Sequence, residues 1–251
     1  MKKRIGFVVL AFLLALVSTY AQTADFFELV KTGTPQSGQA AINQGADVNI
    51  RGACRTPLME AAVANQNPEV ITTLLKAGAD IEARDSCFGR RALMLAASNN
   101  PNPKVISAFL KAGADLKAQD RDGRTALTYA AEHNQNPEVI TTFLKAGADI
   151  MARDNSGFTA LMWAAESNNP KVIAVFLKAG ADIMARDNSG FTSLMYAASK
   201  NPNPEVITTL LKAGADAKAK NNKGYTAFDY AKYNRSLEGT DALRKLEEAS
   251  R

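Results

Sequence analysis

Histidine is nearly absent from this chain. His133 is the only one, so neither a catalytic relay with two imidazoles nor a His-rich metal site can be built. No Gly/Ser-rich or Pro-rich linker and no low-complexity tract interrupts it, so nothing divides it into separate domains. A polybasic run is lacking, which removes the usual footprint of nucleic-acid binding. The longest apolar run, Ile5–Val17, is shorter than the ~20 residues of a membrane span. Nor is there a catalytic constellation. The recurring Asp80, Asp115, Asp149, Asp182 and Asp216 have no base or second carboxylate beside them, so a turn-forming role is expected and not acid–base work. The Gly-Ala-Asp that carries each of them ends a helix instead of opening one, which excludes a phosphate cradle. These gaps leave no expected enzyme activity, metal or cofactor.

What stands at the N-terminus is informative. Lys2, Lys3 and Arg4 precede the Ile5–Val17 run, and Ser18-Thr-Tyr-Ala21 offers small residues for a cut after Ala21. That order is the one of a secretory signal peptide, with an uncleaved anchor as the alternative. The expected organisation is a signal peptide over 1–21 and one domain over 22–251. The expected location is the periplasm or outside the cell, with no membrane contact after cleavage. The whole chain carries +5. The signal holds three of its basic residues and no acidic one, so the mature chain keeps only +2. The basic balance therefore makes no case for nucleic acid.

The rest is a repeat. Asn67-Pro-Glu-Val-Ile-Thr-Thr-Leu-Leu-Lys-Ala-Gly-Ala-Asp80 returns with small changes, ending at Asp115, Asp149, Asp182 and Asp216. Its glycines, from Gly45 to Gly214, step by 33, 35, 34, 33 and 34. Such regularity means stacked units, each too small to bury its own apolar face. Asn67 predicts an N-cap, Pro68 a first helical turn, and Gly78 the left-handed residue that ends the helix. Val70, Ile71, Leu74 and Leu75 share one face. A second theme, Thr56-Pro-Leu-Met-Glu-Ala-Ala62, recurs at Thr125, Thr159 and Thr192 and predicts a capped helix whose alanines permit close approach.

These residues resemble the ankyrin repeat. Thr-Pro/Ala-Leu, Ala-Ala and Lys-Ala-Gly-Ala-Asp recur in fixed order from Ala24 to about Glu248. The resemblance implies an all-α solenoid of helix-loop-helix units joined by extended, hairpin-like turns, with a cap over 24–51, regular repeats over 52–220 and a C-terminal cap over 221–251. It implies a monomeric, rigid, concave surface that binds a protein partner. A narrower alternative is a dedicated inhibitor or accessory subunit of one exported enzyme or toxin. Two departures stand out. The family's His after Thr-Pro-Leu is here Met59, Met94, Thr128, Met162 and Met195, so methionine packing is expected to replace its inter-repeat ties. Most loops between the two helices also carry one extra residue, as in Asn134-Gln-Asn-Pro137 against Asn168-Asn-Pro170.

Two ladders vary where the core does not. The residue before each first helix's cap reads Arg55, Arg90, Arg124, Phe158, Phe191 and Tyr225; in the family that position is exposed and touches partners. These side chains are expected to stand free of packing, basic at one end and aromatic at the other. The second ladder reads Glu60, Leu95, Tyr129, Trp163, Tyr196 and Tyr230. Packing between helices and partner binding are both open for it, and Tyr129, Trp163 and Tyr196 are carried as binding candidates. Cys54 and Cys87 lie in neighbouring turns of an exported chain and suggest a disulfide, free thiols being the alternative. The obstacle is distance, since stacked repeats lie roughly 10 Å apart and bridged Cα atoms ~4.4–6.8 Å; an extra residue in the Cys87 turn is expected to close the gap.

Overall fold

Helix-starting residues recur every 33–35 positions, and a helix follows each of them. The computed structural model describes residues 25–251. The signal peptide expected over 1–21, with its cut after Ala21, lies outside the described residues. Fourteen α-helices follow in order: α1 (25–32), α2 (Pro35–Asn43), α3 (Pro57–Ala64), α4 (Pro68–Lys76), α5 (Ala92–Asn99), α6 (Pro103–Lys111), α7 (Ala126–His133), α8 (Pro137–Lys145), α9 (Ala160–Ser167), α10 (Pro170–Lys178), α11 (Ser193–Lys200), α12 (Pro204–Lys212), α13 (Ala227–Ala231) and α14 (Asp241–Ser250). A 3-10 turn spans Arg235–Leu237. Among the described residues there is no strand, and no helix is long and apolar enough to cross a membrane.

Local chemistry sets each boundary. Thr56, Thr125, Thr159, Thr192 and Thr226 accept the N–H three residues on, and Asn67, Asn102, Asn136, Asn169 and Asn203 cap the second helices by accepting the N–H two residues on. Arg91 replaces the capping threonine of α5 and makes no cap hydrogen bond; its Nε lies 2.6 Å from Glu82. Gly78 ends α4 at φ +90°, and its five counterparts do likewise. The following aspartates fold the turn as expected: Asp80 Oδ1 accepts the Glu82 N–H at 2.9 Å.

First helices stack on first helices, from α3 to α13, and second helices on second helices, from α2 to α14. Between the rows lie Leu58, Ile71, Phe109, Ile140, Phe143, Leu161 and Phe176, all buried. Ala61 and Ala62, and their counterparts as far as Ala197 and Ala198, are fully buried and keep the backbones close.

The inter-repeat ties come from a residue type that the sequence pattern had suggested only as loop. Met59, Met94, Met162 and Met195 are buried as expected, but asparagine makes the polar links. Asn134 donates both Nδ2 hydrogens to the preceding unit, to Ala97 O and Asn100 O at 2.9 Å each. Asn168 does the same to Ala131 O and Asn134 O, at 2.8 and 3.0 Å. Asn65, Asn100, Asn201 and Asn234 complete the series. Except at Asn234, whose amide oxygen receives the Ser236 N–H, the amide oxygen then receives the N–H of the asparagine that caps the second helix, directly next door in the short loop (Asn169 to Asn168, 2.8 Å) and two residues on in the longer ones. The loop length varies, and this bond survives the variation.

Among the described residues one buried hydroxyl goes unmatched. Ser193 Oγ has no hydrogen-bond partner, while Ala92, Ala126, Ala160 and Ala227 hold that position in other units. Ser193→Ala should therefore raise the unfolding free energy by about 1 kcal/mol, since a desolvated hydroxyl without a partner is lost and no cavity of consequence forms. Denaturant unfolding measures this; a drop in midpoint would show that the hydroxyl is bonded after all, through a buried water.

Candidate interaction surface

The surface is built on one aspartate per turn. Asp154 Oδ1 accepts the N–H of Ser156 at 2.9 Å and of Phe158 at 3.0 Å, and its Oδ2 accepts Trp163 Nε1–H at 3.0 Å. The carboxylate thus holds its turn closed and ties it to the first helix nine residues on. Asp120 repeats this with Tyr129 at 2.7 Å, and Asp187 with Tyr196 at 2.5 Å. In the last turn Asn221 donates instead, to Tyr230 Oη at 2.7 Å. Burial first, then the carboxylate beside them, pushes the Tyr129 and Tyr196 phenols well above the ordinary tyrosine value, so both remain donors. In the third unit Leu95 has no polar tip, and Arg90 Nε bonds Asp85 Oδ2 at 2.8 Å in its place. Burial works against ionisation of Asp85, but hydrogen bonds from the Phe88 N–H and from Arg90 outweigh it and hold that carboxyl below its ordinary range.

Turns are also joined to each other. The Asn155, Asn188 and Asn222 N–H groups bond carbonyls of the preceding turn at 2.9–3.1 Å. Gly157, at φ +83°, sits where a Cβ would come within 2.6 Å of Asn188 Oδ1, so only glycine fits that approach.

The two ladders form one interdigitated stack. Phe158 lies 4.6 Å from both Trp163 and Tyr196, measured between ring centres; Phe191 lies 5.1 Å from Tyr196 and 4.9 Å from Tyr230; Tyr225 meets Tyr230 edge-on at 6.0 Å. Arg124 caps the stack, its guanidinium 3.8 Å from the Trp163 ring and 5.8 Å from Tyr129, with Nη1 on Glu132 at 2.9 Å. Phe158 and Phe191 were expected to stand free of packing; both are half-buried. The reason is spacing: successive second-ladder rings leave a slot that one further ring fills, and the turn-tip residue supplies it. Tyr129 and Tyr196 are buried, Trp163 half-buried, and Tyr225 remains 51% exposed. Arg55 and Arg90 are half-buried; Arg55 lies 3.7 Å from Glu60, and Arg90 covers the Phe88 ring at 4.5 Å. The sequence reading missed Phe88, Asp120, Asp154 and Asp187. The signal for the aspartates was the constant step of nine to Tyr129, Trp163 and Tyr196.

Cys54 and Cys87 are bonded, with Cα atoms 5.8 Å apart. The first of the two turns closes one residue early, Gly52 N–H to Arg55 O; the second closes one late, Asp85 N–H to Arg90 O. The shortened and lengthened turns together bring the cysteines within reach. The 33-residue separation corresponds to roughly 3–4 kcal/mol of denatured-state restriction. His133 is exposed beside Glu132, and no group of His, Cys, Asp and Glu among the described residues could hold a metal.

Helix pairs stacked in register, with a side-chain ribbon along one edge, define a repeat solenoid that offers its surface lengthwise. The family descriptions "Ankyrin repeats (3 copies)" match residues 58–154 and 93–187, and "Ankyrin repeats (many copies)" match 181–231. The chain belongs to the ankyrin repeat family, and its repeats form a protein–protein interaction scaffold. No curated protein matches it in sequence.

Proposed function

We propose that this protein is an exported, monomeric scaffold that recognises a protein partner along its turn and first-helix edge, in the periplasm or outside the cell. The arginine-to-aromatic stack from Arg124 to Tyr225 carries the reading. Core positions repeat nearly unchanged because stacking dictates them, whereas this edge changes character along its length. Its backbone is locked by the aspartate and turn-to-turn hydrogen bonds, so recognition takes place on a preformed surface with little rearrangement. Lys2, Lys3, Arg4 and the Ile5–Val17 run support export.

Two measurements test it. Mass spectrometry of the protein from its native host should give an N-terminus near Gln22; a full-length membrane-retained chain would sink the export reading. A pull-down from extracytoplasmic extract should recover a protein whose binding weakens on Tyr225→Ala. A single partner at one-to-one stoichiometry would select the dedicated inhibitor or accessory subunit over the general scaffold.

A further inference from the structure

We infer that the Phe88 turn and the open cleft beside it form a second docking point, which takes an apolar side chain flanked by carboxylates on the protein partner. This rests on the scaffold reading above but on different residues.

Among the described residues Phe88 is the one exposed phenylalanine, 56% open to solvent. It does not swing on a loose loop. Its N–H is held by Asp85 Oδ1 at 2.6 Å, and its carbonyl accepts the Arg121 N–H at 3.4 Å. The preceding residue is the bridged Cys87, whose carbonyl receives Arg121 Nη1 at 2.9 Å. A large apolar ring fixed in water from both sides is costly to solubility and cheap to bury, which marks an anchor for a partner.

The ladder explains why there is room. From Tyr129 onward each first helix supplies an aromatic rung; in the two units before it the rungs are Glu60 and Leu95. Beside Glu60 opens a cleft of about 470 Å³, whose apolar walls are Phe27, Phe88 and the disulfide, with Lys31, Arg55, Arg90 and Glu60 itself at its polar edge. Arg90 covers one face of Phe88, leaving a slot that a partner's ring or large aliphatic group can enter as the missing rung.

Charge selects the occupant. Lys31 and Arg55 share Glu60 at 4.0 and 3.7 Å, and Arg90 is taken by Asp85. Arg51, Arg84 and Arg121, exposed around the same turn, donate instead to main-chain carbonyls: Arg84 O; Gly89 O and Gln119 O; Cys87 O and Ser86 O. No carboxylate neutralises these three. Asp122, next to Arg121, Asp80, four residues before Arg84, and Asp47, four residues before Arg51, are the exposed acids nearest to them in sequence, and none of these acids pairs with an arginine among the described residues. The edge around Phe88 is therefore positive and favours an acidic segment.

Panning a random phage-displayed peptide library against the purified protein tests this. Enriched peptides should carry Asp or Glu beside an aromatic or large aliphatic residue. A synthetic copy should lose about tenfold in affinity on Phe88→Ala, weaken with added salt, and bind Tyr225→Ala unchanged. Because the Phe88 ring is exposed, Phe88→Ala should melt like the parent. Failure to enrich any peptide, enrichment without acidic bias, or affinity indifferent to Phe88→Ala overturns the inference. Peptides that depend on Tyr225 also overturn it while leaving the scaffold reading intact. Concentration-dependent dimerisation abolished by Phe88→Ala would assign the site to a second copy and overturn it too.

Discussion

Asn168→Ala should cost about 4 kcal/mol of stability, although it deletes one small side chain. Asn168 is buried, and its amide makes three hydrogen bonds: two donated to Ala131 O and Asn134 O, and one accepted from the Asn169 N–H. Removing it leaves two carbonyls and a main-chain N–H without this partner at a junction between units, each worth about 1–3 kcal/mol when water cannot replace it. Asn169 also caps α10, so the cap loses its support. The control is Asn155→Ala, whose exposed Nδ2 bonds Arg121 O at 3.2 Å. Water replaces that bond, and the loss should stay below about 1 kcal/mol. Chemical denaturation with an unchanged slope gives both values. Equal, small losses in the two variants would remove the asparagine series as the tie between units.

Which features could be read from the sequence follows from how local their causes are. Thr56, Asn67 and Gly78 act on backbone groups within four residues, so their spacing gave the helices, their order and the repeat. The role of Asn134 could not be read that way. In sequence it belongs to a loop one residue longer than its neighbour, which suggests surface; its function depends on carbonyls 34 and 37 residues earlier. The substitution of Met for the family's His pointed to apolar packing between units, and nothing in that substitution indicates that an asparagine at the other end of the helix carries the polar link. The disulfide was legible because two cysteines in adjacent turns leave one pairing, and the extra residue at Cys87 was visible. The complementary shortening at Gly52–Arg55 was not, because Cys54 occupies the position of Gly157 without adopting its positive φ. The interaction edge was half-legible. Its residues were identified, but as two ladders, one exposed and one packed; ring size relative to repeat spacing merges them, and a one-dimensional pattern carries no such length.

That merging changes what the double variant Phe158→Ala, Phe191→Ala should do. Rings standing free would leave stability untouched. Here each is half-buried between two rungs, and both lean on Tyr196. Truncating a fully buried Phe costs about 3–5 kcal/mol, so a half-buried one costs roughly 2, and simple addition would give about 4 kcal/mol for the pair. The two losses should not add. Tyr196 loses one stacking neighbour in each single variant and both in the double, so the cycle should show a coupling of roughly 0.5–1.5 kcal/mol. Tyr196 keeps its hydrogen bond to Asp187 throughout, which anchors the ring while its neighbours are removed. Tyr225→Ala is the contrasting case: the residue is 51% exposed and Tyr230 is the one ring it meets, so its stability loss should stay near 1 kcal/mol or below. Affinity for the recovered partner, measured on the fraction still folded, then separates the roles. The partner should lose about tenfold or more on Tyr225→Ala, where stability barely moves. If affinity instead tracks stability across all four variants, the stack is a structural spine and the partner binds another face.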